Sequence, residues 1–235
     1  MEGSNHFLDL RLKSAQTRGP RTIDPHGDVF DALELLHGIT RHIAASLNEK
    51  HQRITLANSI YLAEYMLCRM NSSPISDVEP RCLDISAPLA AAAHLFLHLG
   101  VRNIPSNAGR HRYLSQRLHI SLPHDLDYES LVHVPRAGVR LLLWVCAIGA
   151  VREDDVNTRD TRLDQLRQLC GVLEVRSFEE FTQCLKEVLW IDPFSSEHMS
   201  RIWQLVQASF LLPGIPGWEN DILEWGLLSI NEDFQ

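Results

Sequence analysis

Arg140-Leu141-Leu142-Leu143-Trp144-Val145-Cys146-Ala147-Ile148-Gly149-Ala150-Val151 contains the longest apolar run in the chain, and its reading decides the fold. The run falls far short of the roughly 20 residues that span a bilayer, so it belongs in a protein core. An uninterrupted apolar stretch suits either a helix covered on every side or a buried parallel strand. A parallel strand needs repeating strand–helix units around it, and the flanking sequence carries none. The segment from Arg136 onward therefore reads as a buried helix. Pro88 to Leu99 is its counterpart, opened by Ser86 and Pro88 and closed by Gly100. Within it Ala90-Ala91-Ala92-Ala93 is a strong helix former whose small side chains let neighbours approach closely.

Outward from this pair the pattern changes to one-sided helices. Phe30, Leu33, Leu36, Ile39, Ile43 and Leu47 recur at three- and four-residue steps after Asp28, a good cap. A second helix is expected from Ile54 to Met70, then a Pro- and Ser-rich loop from Asn71 to Pro80. Asn107 to His119 should present Tyr113, Leu114 and Leu118 on one side and a basic face on the other. Pro123 and Pro135 make Leu122 to Pro135 loop or short turns. Thr161 to Cys170, Ser177 to Trp190 and Ser195 to Leu212 read as three further amphipathic segments. Ser177 with Glu180 fits a capping box, a hydroxyl at the cap and a carboxylate three residues on. The expectation is an all-α fold of about eight to ten helices, with two central apolar helices surrounded by amphipathic ones. Residues 28–235 form this single globular domain. Residues 1–27, with Gly19-Pro20 and Asp24-Pro25, read as a poorly ordered arm carrying a short helical turn near Phe7 to Leu12.

Composition narrows the function classes. The chain is 45% hydrophobic, enough for a sizeable core in 235 residues. Its net charge of −8 argues against general binding of phosphate backbones, since that affinity comes from Lys and Arg. One local exception is the basic cluster Arg110, His111, Arg112 and Arg117. The five cysteines, Cys68, Cys82, Cys146, Cys170 and Cys184, are odd in number and widely spaced. They suit neither a disulfide framework nor a zinc finger, and Cys146 should be a buried thiol in a reducing compartment. Met1 to Leu12 does not read as a secretory signal. No association with membrane is expected.

Three constellations could carry chemistry. Glu153-Asp154-Asp155, with Asn157 and Asp160, follows an apolar helix as the aspartate-rich magnesium motif of helical terpene cyclases does. The second motif such enzymes need fails, because after Asn220-Asp221 the required hydroxyl and acid are Glu224 and Leu228. A solvated acidic loop is the preferred reading. His94 and His98 have a recognised ligand spacing on one helix face. Only Leu95, Phe96 and Leu97 lie between them, no acid accompanies them in the helix, and they read as core histidines. His124, Asp125, His133 and the hydroxyls of Ser115, Ser121 and Ser130 make no Gly-x-Ser-x-Gly elbow or triad spacing. No catalytic residue, metal ligand or cofactor motif is assigned. At the C-terminal end Trp218, Ile222, Leu223, Trp225, Leu227, Leu228 and Phe234 alternate with Glu219, Asp221, Glu224, Glu232 and Asp233. That mixture suits either a last helix packed on the core or a segment that folds on a partner's groove. Trp218, Trp225 and Phe234 are the candidate partner contacts.

Four pieces in order resemble the regulatory, or middle-homology, region of fungal-specific transcription factors. They are Leu97-His98-Leu99-Gly100-Val101-Arg102-Asn103-Ile104-Pro105, His111-Arg112-Tyr113-Leu114-Ser115-Gln116-Arg117-Leu118, Leu141 to Ala150, and Phe178-Glu179-Glu180-Phe181 through Trp190. The resemblance covers roughly Pro88 to Trp203, about half the chain, and rests on order and spacing more than on any one piece. It implies an all-α regulatory domain, usually nuclear, that modulates transcription through contacts with the transcription machinery or a DNA-binding factor, or through a small ligand. Family members that read DNA carry a six-cysteine zinc cluster at the N-terminus, whereas no cysteine precedes Cys68. Specific DNA binding by this chain is therefore not expected. A helical enzyme using a cavity between the two apolar helices is the first alternative, and a relic without separate activity the second. Charged groups converging on one cavity would favour the enzyme; charges scattered outward would favour the regulator.

Overall fold

The computed structural model describes residues 28–45, 50–72, 85–104, 109–122, 131, 134–151 and 156–211. Among the described residues there are eight α-helices and no strand. They are α1 Val29–Ala44, α2 Lys50–Ser72, α3 Ser86–Phe96, α4 Gly109–Ser121, α5 Arg136–Ala150, α6 Val156–Leu173, α7 Phe178–Lys186 and α8 Phe194–Leu211. A π-helical segment, Leu97–Val101, continues α3. The all-α class read from periodicity is the observed one.

The two apolar helices do form the centre. Leu141 to Gly149 of α5 and Pro88 to Phe96 of α3 are buried throughout, and the two helices pack on each other. Each remaining side is covered by a different neighbour: α6 and α7 on α5, α2 and α4 on α3. α1 lies on α2 and α3, while α8 crosses α5, α6, α7 and the π segment. Fully burying one Leu or Phe side chain contributes about 1.5–3 kcal/mol, so this pair supplies a large share of the driving force. Trp144 is the largest fully buried side chain. Its ring meets Phe96 at 5.7 Å, and its Nε1–H donates to Leu189 O at 3.0 Å.

Helix ends follow local chemistry. Asp28 Oδ1 accepts from Phe30 N and Asp31 N while Asp31 Oδ2 accepts from Asp28 N, closing a capping box on α1. The box expected at α7 is present, with Ser177 Oγ accepting from Glu180 N and Glu180 Oε2 accepting from Ser177 N. The C-terminal end of α4 is held from another helix. Buried Arg162 of α6 donates through one guanidinium nitrogen to Leu118 O, at the negative end of the α4 dipole, and through the other to Gln165 Oε1.

Several boundaries differ from the sequence expectation. α2 begins at Lys50 and α6 at Val156, because helix continues through polar turns that lack an apolar stripe. Residue 157 thus lies in a helix and not in an acidic loop. α7 stops at Lys186, four residues before Trp190. Gly100 does not end its helix; it sits inside the π segment at a close crossing. A Cβ there would lie 3.0 Å from both Ile191 Cγ2 and Phe194 Cδ1. The basic face expected on α4 is divided by packing: Arg110 and Arg112 are exposed, whereas His111 and Arg117 turn inward. Tyr113, placed with the apolar side, is exposed and anchored by its hydroxyl, which donates to Asn71 O. Cys146 is a buried thiol as expected, pushed up to about 12 by burial with Arg162 opposing. The arm (residues 1–27), Cys82, the Glu153-Asp154-Asp155 cluster, His124, Asp125, Ser130, His133 and the tail with Trp218, Trp225 and Phe234 lie outside the described residues.

Candidate functional site

The site is built where α2, α3 with its π segment, and α4 meet. α3 is apolar almost throughout and contributes only two polar side chains to this interface, His94 and His98. They stand four residues apart, across the junction of α-helix and π-helix. π-helical turns interrupt the regular ladder and recur at functional positions. Here the end of the segment is closed by Arg102 N donating to Leu97 O and, one step further on, Ile104 N donating to His98 O. The two imidazole rings come to 4.4 Å between centroids, and His111 of α4 lies 5.5 Å from His98.

α2 supplies the acid. Glu64 Oε1 lies 3.5 Å from His98 Nε2 and its Oε2 accepts from Arg102 at 2.7 Å; Arg110 approaches Oε1 at 3.5 Å. Ligand atoms of Glu64, His94 and His98 all fall within 4.8 Å of one another. The absence of an acid beside His94 and His98 holds within their own helix, but not across the helix interface. The reading of the pair as plain core histidines rested on that absence. Asn71, also on α2, is buried, and its amide donates to Leu67 O and Ala90 O while approaching His94 Nδ1 at 3.3 Å. Cys68 Sγ stands 3.9 Å from His94 Nε2.

A pocket of about 160 Å³ opens beside these groups, lined by Cys68, Asn71, His94, His98, Arg110 and Tyr113 among others. His98 is fully buried, its Nδ1 has no hydrogen-bond partner, and its Nε2 has only the 3.5 Å approach of Glu64, outside hydrogen-bond geometry. Asn71 Oδ1 is likewise buried without a partner. Such orphaned polar atoms are rare because each costs roughly 1–3 kcal/mol. Burial lowers His94 to about 3, with His98, Arg110, Arg102 and His111 adding in the same direction. Burial also lowers His98, which Glu64 opposes and His111 reinforces. Both imidazoles are neutral near pH 7 and keep lone pairs for an acceptor-seeking ligand. Burial raises the Cys68 thiol, and Glu64 adds to the effect.

A larger, shallower concavity of about 570 Å³ lies where α5 meets α7, lined by Arg136, Arg140, Glu174 and Glu187. Its charges pair with one another, Arg140 with Glu187 and Arg136 with Glu174. No fully buried unpaired imidazole faces it, so the α2–α3–α4 pocket is the stronger candidate. Neither pocket lies between α3 and α5, where the enzyme alternative placed its cavity. Among the described residues, no helix is long and apolar enough to cross a membrane.

The candidate was half legible. His94 and His98 stood out by spacing, and Arg110 and His111 by charge. Glu64 and Cys68 carried no signal in the sequence beyond their place on an expected helix, and Asn71 was placed in the loop after it, whereas the helix runs on through Ser72 and brings Asn71 to His94. Comparison of the chain with protein-family models, with curated proteins and with solved structures finds no match in any of the three.

Proposed function

We propose that this chain is a regulatory domain of the fungal transcription-factor type, acting in the nucleus through protein contacts and responding to a small ligand held between α2, α3 and α4. The observation that carries the reading is the position of exposed aromatics beside the polar pocket. Tyr61 and Tyr65 of α2 and Tyr113 of α4 are 65%, 54% and 52% exposed. Tyr61, Glu64, Tyr65 and Cys68 follow one another at helical steps, so one stripe of α2 carries surface tyrosines and pocket wall together. Arg102, which grips Glu64, also lies over the Tyr61 ring at 5.1 Å. Tyrosine and arginine are enriched where proteins bind one another. A ligand that moved Glu64 would therefore disturb a contact surface one turn away.

The test tethers the full chain to a foreign DNA-binding head and reads a reporter gene. Tyr61→Ser with Tyr65→Ser is expected to abolish the response while leaving melting nearly intact. Trp218→Ala with Trp225→Ala tests whether the tail, with Phe234, is the contacting segment instead. A reporter unmoved by the tethered wild-type chain refutes the regulatory reading. A helical enzyme is the second reading, and one observation favours it: Glu64, His94, His98, Arg102 and Arg110 converge on one place instead of scattering outward. Turnover of any substrate that Glu64→Gln abolishes would establish it.

A further inference from the structure

We propose that Glu64, His94 and His98 form a binding site for a divalent transition-metal ion, with Zn²⁺ the expected occupant. This deepens the reading of the α2–α3–α4 pocket as a ligand site, and does not depend on the regulatory role. Three features converge. Two imidazole nitrogens and one carboxylate oxygen make a donor set that zinc accepts, and three protein donors leave a fourth position for water or another ligand. A tetrahedral ion held at about 2.0–2.1 Å keeps its ligand atoms about 3.3 Å apart. Glu64 Oε1 and His98 Nε2 stand at 3.5 Å already, and the ligand atoms of all three side chains, within 4.8 Å of one another, would have to draw closer around an ion. Nδ1 of the fully buried His98 ring has no hydrogen-bond partner and Nε2 has only the long 3.5 Å approach of Glu64, so ligation through Nε2 would give a poorly satisfied buried atom a strong partner.

Size points the same way. The pocket of about 160 Å³ has room for an ion and a few waters, each of which fills about 30 Å³ of liquid. Pockets for organic ligands run to about 300–1,000 Å³. Arg102 has a defined part in this arrangement: it takes Oε2 of Glu64 at 2.7 Å and leaves Oε1 turned toward His98. Arg110 works against the ion, since its guanidinium approaches Oε1 itself. Two nearby guanidiniums and a His98 Nδ1 without an acceptor weaken the site relative to a fully supported one, since a supporting hydrogen bond is worth about 10–100-fold in affinity.

The experiment titrates Zn²⁺, and Co²⁺ as a coloured substitute, into the full chain after chelator treatment, by calorimetry and visible absorption. One saturable equivalent with tetrahedral cobalt bands is expected. Glu64→Gln and His94→Gln should each weaken binding by at least about 10-fold. Arg110→Gln alters a side chain that is 70% exposed, so it should preserve the fold, and it should tighten metal binding several-fold by removing a competing charge. Saturable binding of inorganic phosphate that Arg110→Gln weakens would identify an anion site and overturn the proposal. So would the absence of saturable metal binding, or metal binding that Glu64→Gln and His94→Gln leave unchanged. Metal binding with a silent reporter would refute the regulatory role and leave the metal site standing; an active reporter without metal binding would do the reverse.

Discussion

Replacing Trp144 by Phe tests the centre of the fold. Trp144 is buried between α3 and the segment after α7, with its indole N–H bonded to Leu189 O at 3.0 Å. Leu189 lies beyond the end of α7, where no following helical N–H replaces the lost donor. Removing the donor leaves a buried carbonyl unsatisfied, at about 1–3 kcal/mol. The smaller ring also removes roughly 40 Å³, and about 24 cal/mol per Å³ of remaining cavity adds up to ~1 kcal/mol. The sum is about 2–4 kcal/mol. For a domain of this size each kcal/mol moves the melting temperature by about 2–4 °C, so a fall of at least about 4 °C is expected. Urea unfolding should show a lower midpoint with an unchanged slope, the signature of altered stability without altered compactness. Trp190→Phe is the internal control. Trp190 is half-buried and its Nε1–H donates to exposed Asp192, so its loss should cost under about 1 kcal/mol. Equal losses for the two variants, or a Trp144→Phe cost below about 1 kcal/mol, would refute the argument that Trp144 locks α5 to the α7 end.

Three more outcomes can be checked. Ala147→Asp puts an unpaired carboxylate at a position with no solvent access and should cost several kcal/mol; melting within a degree of wild type would refute the placement of α5. Ser177→Ala removes one half of the α7 capping box and should cost about 1 kcal/mol, read as a melting shift of a few degrees. Acid should weaken the metal-free protein. Folded His37 is lowered to about 4 by burial and Arg41, and folded His94 to about 3 by burial and by the His98, Arg110, Arg102 and His111 charges around it. The unfolded chain takes up these protons near pH 6.5, so it binds more protons than the folded chain below that value, and stability falls as pH drops from about 6.5 toward 4. The loss by pH 5 is on the order of 2 kcal/mol per histidine at most, and His37→Gln should flatten its share of the profile. Identical urea midpoints at pH 7 and pH 5 would contradict this.

What the sequence determined by itself was everything encoded at a spacing of three or four residues. The run from Leu141 and the alanines of Pro88 to Leu99 had to be covered all round, and Leu141 to Gly149 and Ala90 to Ala93 are. The one-sided stripe from Phe30 to Ile43 had to lie on that centre, and Ser177 with Glu180 had to cap a helix. The same short period made His94 and His98 neighbours on one face. Tertiary structure alone decided what met them. Glu64 stands on a different helix, and no local repeat relates a carboxylate to imidazoles thirty residues further on. Packing also chose which members of the basic α4 cluster turned inward: Arg117 donates to Met70 O, while Arg110 stays out and reaches Glu64. The close crossing at Gly100 was likewise set by packing, since a Cβ there would meet Ile191 and Phe194 from a distant part of the chain. Periodicity fixes which face of a helix is apolar, but the partner across that face is set by how helices of different lengths and surfaces pack in three dimensions.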